Sequence, residues 1–160
     1  MKLVGLRTSV VKEDPNNVLA KMNSIKTDRK GTLDLALAYY KMGEYNNPLR
    51  IESFLSSMTV LVRDVWRNDL PEKDKVPTSF LKKKIKLVLM NRNSTIFDEA
   101  KFCNQWEEYY VDERCSIAHG RESKLIDPRT IHEYNEIANT IGYWAREMIS
   151  YYIDNFQNLK

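Results

Sequence analysis

One run of this chain, Asp112-Glu113-Arg114-Cys115-Ser116-Ile117-Ala118-His119-Gly120, combines side chains that can hold a phosphate and move a proton. An arginine presents a rigid fork of donors that grips two phosphate oxygens at once. A histidine titrates near neutral pH, so it takes a proton from one oxygen and returns it to another. Those two roles suffice for metal-free RNA cleavage, in which a ribose 2′-OH attacks its own phosphate. Arg114 and His119 are therefore the candidate catalytic pair. Five helical steps of about 100° set them about 140° apart, so they do not share a face of an ideal helix. They converge if the helix loosens at its end or if a second subunit supplies the complement. A blander reading stands beside this one: an Arg and a His near a helix C-terminus also complement the macrodipole and the free carbonyls.

Other chemistries find less support. His119 and His132 are the two histidines of the chain, and neither sits in a cluster with metal-ligand spacing. No Gly-x-Ser-x-Gly frames a serine nucleophile, and no glycine-rich loop could cradle a phosphate. No metal and no cofactor are expected. Two cysteines, Cys103 and Cys115, are too few for a disulfide framework and read as reduced, small, buried or half-buried residues.

The elements that must position the pair are helical by pattern. Asp14-Pro15 reads as a cap followed by a first helical residue, opening a weak helix with Val18, Leu19, Met22 and Ile25. That helix ends in the polar stretch around Thr27 to Gly31. Thr32 opens a second, with Leu33, Leu35, Ala36, Leu37, Tyr39 and Tyr40 running toward Gly43. Ile51, Phe54, Leu55, Met58, Leu61, Val62, Val65 and Trp66 recur at three- and four-residue steps, so a third helix is strongly amphipathic and runs on to Pro71. A fourth starts at Thr78 or Ser79. A fifth runs from Thr95 or Ile96 to about Ala118, with Gly120 as the residue that stops it. Asp127-Pro128 repeats the cap-plus-proline start for a long last helix carrying Ile131, Tyr134, Ala138, Ile141, Ala145, Met148 and Tyr152 on one stripe. The expectation is one all-α domain over residues 1–160: an extended arm at 1–11, then a bundle of five or six helices over 12–157.

Composition sets bounds on partners. Hydrophobic residues make up 42% of the 160, enough for a core without a metal or disulfide staple. The net charge of +3 is only mildly basic, which permits an RNA or nucleotide partner without demanding one. Lys82, Lys83, Lys84 and Lys86 form a cationic run that reads first as a solvated helix face. Trp106, Tyr109 and Tyr110 could stack bases, though their spacing fits core or interface better. The stripe of Tyr134, Ile141, Trp144 and Tyr151 is broad enough to serve a two-fold helix-to-helix contact. Met1 to Val11 lacks the apolar core and cleavage site of a signal peptide, and no apolar stretch approaches the roughly 20 residues of a membrane span. A cytoplasmic location is expected.

The run Arg114-Cys115-Ser116-Ile117-Ala118-His119-Gly120 resembles the R-x-x-x-x-H signature of the HEPN superfamily, especially its branches ending in Ala-His-Gly. The specific part is these seven residues. The likeness extends loosely from about residue 30 to 157, through Leu-Ala-Leu-Ala-Tyr-Tyr-Lys-Met and the amphipathic helix at Ile51–Trp66. It implies a metal-independent endoribonuclease, of the kind found among prokaryotic toxins and antiviral-defence effectors. It further implies a homodimer with both motifs in one cleft, and an antitoxin or defence-system partner. In that reading Arg114 polarises the phosphate and His119 is general base or acid. Cys115, Ser116 and Arg121 support or contact substrate, and Glu52 is a supporting carboxylate. The chain departs from the pattern twice. Cys115 follows the motif arginine where Asn, Asp or His is usual, and a thiol is a poorer hydrogen-bond partner. Arg121 stands two places after the histidine, where one branch carries a tyrosine. The rival expectation is a non-catalytic module that binds nucleotide, RNA or a protein through the same cleft.

Overall fold

Among the described residues the apolar periodicity of the chain becomes six helices. A computed structural model describes residues 15–45, 49–72, 75–107 and 128–157, with backbone alone for 128–131. We number the helices α1 (Pro15–Asn23), α2 (Lys30–Glu44), α3 (Arg50–Val65), α4 (Thr78–Arg92), α5 (Glu99–Gln105) and α6 (Pro128–Asn155). Single 3₁₀ turns at Thr27–Arg29 and Arg67–Asp69 bridge two of the connections. Among the described residues there is no strand, only two isolated bridges, Ile25 with Gln157 and Glu72 with Lys75. The expected all-α bundle is what forms. The expected arm at 1–11 lies outside the described residues.

The helix α3 sits at the centre because its apolar residues nearly encircle it. Ile51, Met58, Leu61 and Val62 lose all solvent contact, and Phe54 and Leu55 nearly all. Burying a side chain of that size stabilises the fold by roughly 1.5–3 kcal/mol each. Two serines on the same helix are buried without cost because each finds a carbonyl. Ser57 Oγ donates to the Ala36 carbonyl at 2.7 Å, locking α3 to α2, and Ser53 Oγ donates to the Leu49 carbonyl at 2.8 Å. The helices α2, α3 and α6 pack on one another, and α4 closes the bundle against α6 and α3.

The long helix α6 supplies the other half of the core. Its predicted stripe is inside: Tyr134, Ala138, Ile141, Ala145, Met148 and Tyr152 are all buried. Trp144 and Ile137, which widen the stripe, are buried too. The sequence allowed Tyr134, Ile141, Trp144 and Tyr151 to serve a two-fold contact. The structure corrects this, since the first three are consumed by the chain's own core and Tyr151 stacks on Trp66 at 6.0 Å.

Several boundaries differ from the sequence reading. The helix α2 begins at Lys30 rather than Thr32, because the 3₁₀ turn Thr27–Arg29 feeds directly into it. The helix α3 stops at Val65, with Trp66 as its last capping residue, well before Pro71. The helix α5 begins at Glu99 rather than Thr95 or Ile96. The Asn93 carbonyl accepts from both Ile96 N–H and Phe97 N–H, which holds 94–97 in a turn. Asp98 then caps the helix, its Oδ1 accepting from Lys101 N–H at 3.0 Å. The rest of the expected fifth helix, to Ala118, lies outside the described residues.

Candidate functional site

Of the residues singled out for chemistry, Arg114, Cys115, Ser116, His119 and Arg121 lie outside the described residues, as do Tyr109 and Tyr110. Glu52 is described. It stands in the first turn of α3, half-buried, with Oε1 shielded from solvent. His132 is exposed and its Nε2 lies 3.2 Å from Glu136 Oε1 one turn on, consistent with a surface role. The lysine run is more engaged than a solvated face. Lys82 pairs with Glu107 at 3.2 Å, Lys86 pairs with Glu99 at 2.8 Å, and Lys84 lies over the rings of Trp66 and Phe80. That leaves Lys83 as the exposed member of the run.

The frame on either side of residues 108–127 is firmly built. Before it, Phe102 and Trp106 on α5 and its extension pack against Trp144 of α6, with ring centroids 4.9 Å and 6.1 Å away. Trp106 is therefore core rather than a base-stacking platform. After it, Pro128 opens α6, and the Tyr134 hydroxyl accepts from Ile51 N–H at 3.4 Å. That contact ties the start of α6 to the start of α3, one residue from Glu52.

A polar clamp that sequence reasoning missed joins the same helix ends. Arg50 sends Nε to the Gly43 carbonyl at 2.8 Å, Nη1 to Asn135 Oδ1 and Nη2 to Asn139 Oδ1, both at 2.9 Å. One guanidinium thus spans α2, α3 and α6. Burial draws its pKa below that of an ordinary arginine, a pull that Tyr134 and Glu44 partly offset. The signal for it was faint: Asn135 and Asn139 stand four residues apart on α6, on one polar edge beside the apolar stripe.

Asn139 also faces a cavity of about 350 Å³ between the end of α4, α5 and the middle of α6. Its wall mixes carboxamides with aromatic rings: Asn93, Gln105 and Asn139 among Phe97, Phe102 and Tyr143. The Tyr143 hydroxyl is pushed up to about 12 by burial and then by Glu147, with Arg146 and Arg92 pulling the other way. It stays a neutral donor at physiological pH. The most buried of its polar residues is Asn93, 5% exposed, whose Nδ2 donates to Glu147 Oε1 at 2.8 Å. Its Oδ1 is buried and accepts no hydrogen bond from the described residues. Such a wall can hold a small planar group by its faces and its polar edge, since carboxamides both donate and accept.

No family model, curated protein or solved structure matches this chain. Among the described residues no group of three or more His, Cys, Asp or Glu side chains could hold a metal ion. Among the same residues, no helix is long and apolar enough to cross a membrane.

Proposed function

We propose that this chain is a HEPN-type, metal-independent endoribonuclease, acting in a prokaryotic toxin or antiviral-defence setting. The observation that carries the reading is the run Arg114-Cys115-Ser116-Ile117-Ala118-His119-Gly120, in a chain that folds as an all-helical bundle and closes with one long helix. His119 takes the proton of a ribose 2′-OH, and that oxygen attacks the adjacent phosphorus. The bond to the 5′ oxygen breaks, and a protonated imidazole returns a proton to that leaving oxygen. A 2′,3′-cyclic phosphate and a 5′-hydroxyl result. Arg114 holds the phosphate and offsets the charge that grows on its oxygens. Two copies supply two such pairs to one cleft. The cavity between α4, α5 and α6, about 350 Å³ and lined by aromatic rings and carboxamides, supports the reading by offering a recess with planar walls.

A second reading is favoured by Cys115, whose thiol is a weak partner for a phosphate or a histidine. In it the same cleft binds nucleotide, RNA or a protein without cleaving. Incubation with total tRNA and a structured single-stranded RNA in excess EDTA separates the two. Wild type should cleave and leave 2′,3′-cyclic ends, while Arg114→Ala and His119→Ala of unchanged size and helix content should not. Binding without cleavage supports the second reading. Cleavage that survives both substitutions would remove the motif from the mechanism.

A further inference from the structure

The cavity between α4, α5 and α6 is lined by polar groups whose hydrogen-bonding capacity the described residues leave unused. Asn139 spends its Oδ1 on Arg50 Nη2 at 2.9 Å. A bond to a charged donor fixes which way the carboxamide is turned, so Nδ2, a donor only, is what Asn139 offers the cavity. The Tyr143 hydroxyl stays protonated and makes no hydrogen bond among the described residues. The half-buried Gln105 carboxamide makes none among them either, and it presents a donor and an acceptor side by side. Rings accompany these groups from both walls: Phe97 from the turn before α5, Tyr143 and Trp144 from α6. The charged residues of the lining are Asp98, Lys101 and Glu136, two carboxylates against one ammonium. That balance does not draw a phosphate.

We infer that this cavity binds a neutral, planar heterocycle with a carbonyl-rich edge, the chemistry of a uracil ring. The Gln105 carboxamide matches a ring N–H and the carbonyl beside it, two parallel hydrogen bonds that fix the plane of the ring. Uracil carries a second carbonyl on the far side of that N–H, and Asn139 Nδ2 and the Tyr143 hydroxyl are donors that suit it. Cytosine has an amino group in place of one carbonyl, which sets donor against donor and leaves both unpaired. The ring faces stack on the aromatic walls, as bases do on aromatic side chains. A volume of about 350 Å³ falls in the range of small-ligand sites. The same groups hold a free nucleoside or one base of a longer RNA. The site contains no residue of the Arg114–His119 run, so its test is separate from that of cleavage.

Isothermal titration calorimetry of the full chain with uridine, cytidine and uridine 5′-monophosphate tests it. Uridine should bind, cytidine should bind about tenfold more weakly, and the monophosphate should bind no tighter than uridine. Tyr143→Phe and Gln105→Leu, each with wild-type helix content, should weaken uridine about five- to tenfold. A 2′-O-methyl oligouridylate, which cannot be cut by 2′-OH attack, separates the two sources of the ring. Tighter binding than uridine, lost with Tyr143→Phe, assigns the site to a base of RNA; equal or weaker binding assigns it to a free nucleoside. A wild type that takes up no uridine at millimolar concentration would overturn the inference, including where residues 108–127 fill the cavity. So would equal affinity for cytidine, or uridine binding that both substitutions leave unchanged. RNA cleavage by a chain that binds no uridine would leave the ribonuclease reading standing alone. Uridine binding by a chain that cuts no RNA would do the reverse.

Discussion

The Asn93 carboxamide and the Glu147 carboxylate, 54 positions apart in the chain, meet inside the protein over 2.8 Å. Both are under 9% exposed. Arg92 Nε adds a contact to the same Glu147 oxygen at 3.5 Å, and Arg92 Nη1 reaches Asp154 at 2.9 Å. This joint fixes the end of α4 against α6 and holds Asn93 in the wall of the cavity. Replacing Asn93 by Asp exchanges a donor for a second buried carboxylate. We expect a loss of about 3 kcal/mol at neutral pH, measured by urea denaturation. The loss should shrink in mild acid, where one proton can bridge the two carboxylates. An equal loss at both pH values would mean that cavity strain, not charge, dominates.

Phe54 is seated between two glycines. A Cβ on Gly43 would lie 2.6 Å from its ring, and one on Gly142 would lie 2.8 Å from it. Gly43→Ala and Gly142→Ala should each cost about 1–3 kcal/mol, despite the gain in helix propensity. Adding Phe54→Leu should make either alanine less costly than it is in the wild-type background. A thermal-shift series over wild type, the three single variants and the two double variants reads this coupling directly.

The Arg50 clamp should matter to stability more than a surface arginine does. Arg50→Met removes three hydrogen bonds and leaves the Asn135 and Asn139 oxygens and a carbonyl to find water. A loss of about 2–3 kcal/mol is expected in chemical denaturation. Arg50→Lys keeps the charge but cannot span three acceptors, so it should recover only part of that loss. Full recovery by lysine would reduce the clamp to simple charge.

Two tyrosines tie stability to alkaline pH. Burial pushes Tyr152 well up, and its hydrogen bond to Asp64, at 2.6 Å, adds to the shift. Tyr143 is raised to about 12, chiefly by burial. A group whose folded pKa exceeds its unfolded value stabilises fully below the unfolded value, near 10 for tyrosine, and loses that contribution as pH rises toward the folded one. Stability should therefore fall between about pH 10 and 12. Tyr152→Phe should start lower, by about 1–2 kcal/mol for the lost hydrogen bond, and fall less steeply over that window. Parallel pH curves for wild type and Tyr152→Phe would refute the assignment.

Periodicity alone determined the helices and most of the core. Apolar steps of three and four along α3 and α6 cannot be buried except by packing those helices together, so Met58, Leu61, Ile141 and Tyr152 were legible as core. Proline at the first helical position likewise marked the starts of α1 and α6. The candidate catalytic pair was legible only as residue types at a spacing, and it lies in residues that the structure does not describe.

Tertiary structure decided what depends on which surfaces meet. The apolar Leu35 of α2 points outward because Leu33 and Ala36 already fill the side that faces the core. Asp98 became the cap of α5 because a buried Asn93 gathered the preceding N–H groups into a turn. Arg50, one basic residue among 25, became a three-helix joint because Gly43, Asn135 and Asn139 converge on it. Local sequence encodes hydrophobic period and caps, which act over a few residues. The meeting of polar partners dozens of positions apart depends on helix packing angles and lengths, and only the assembled bundle sets those.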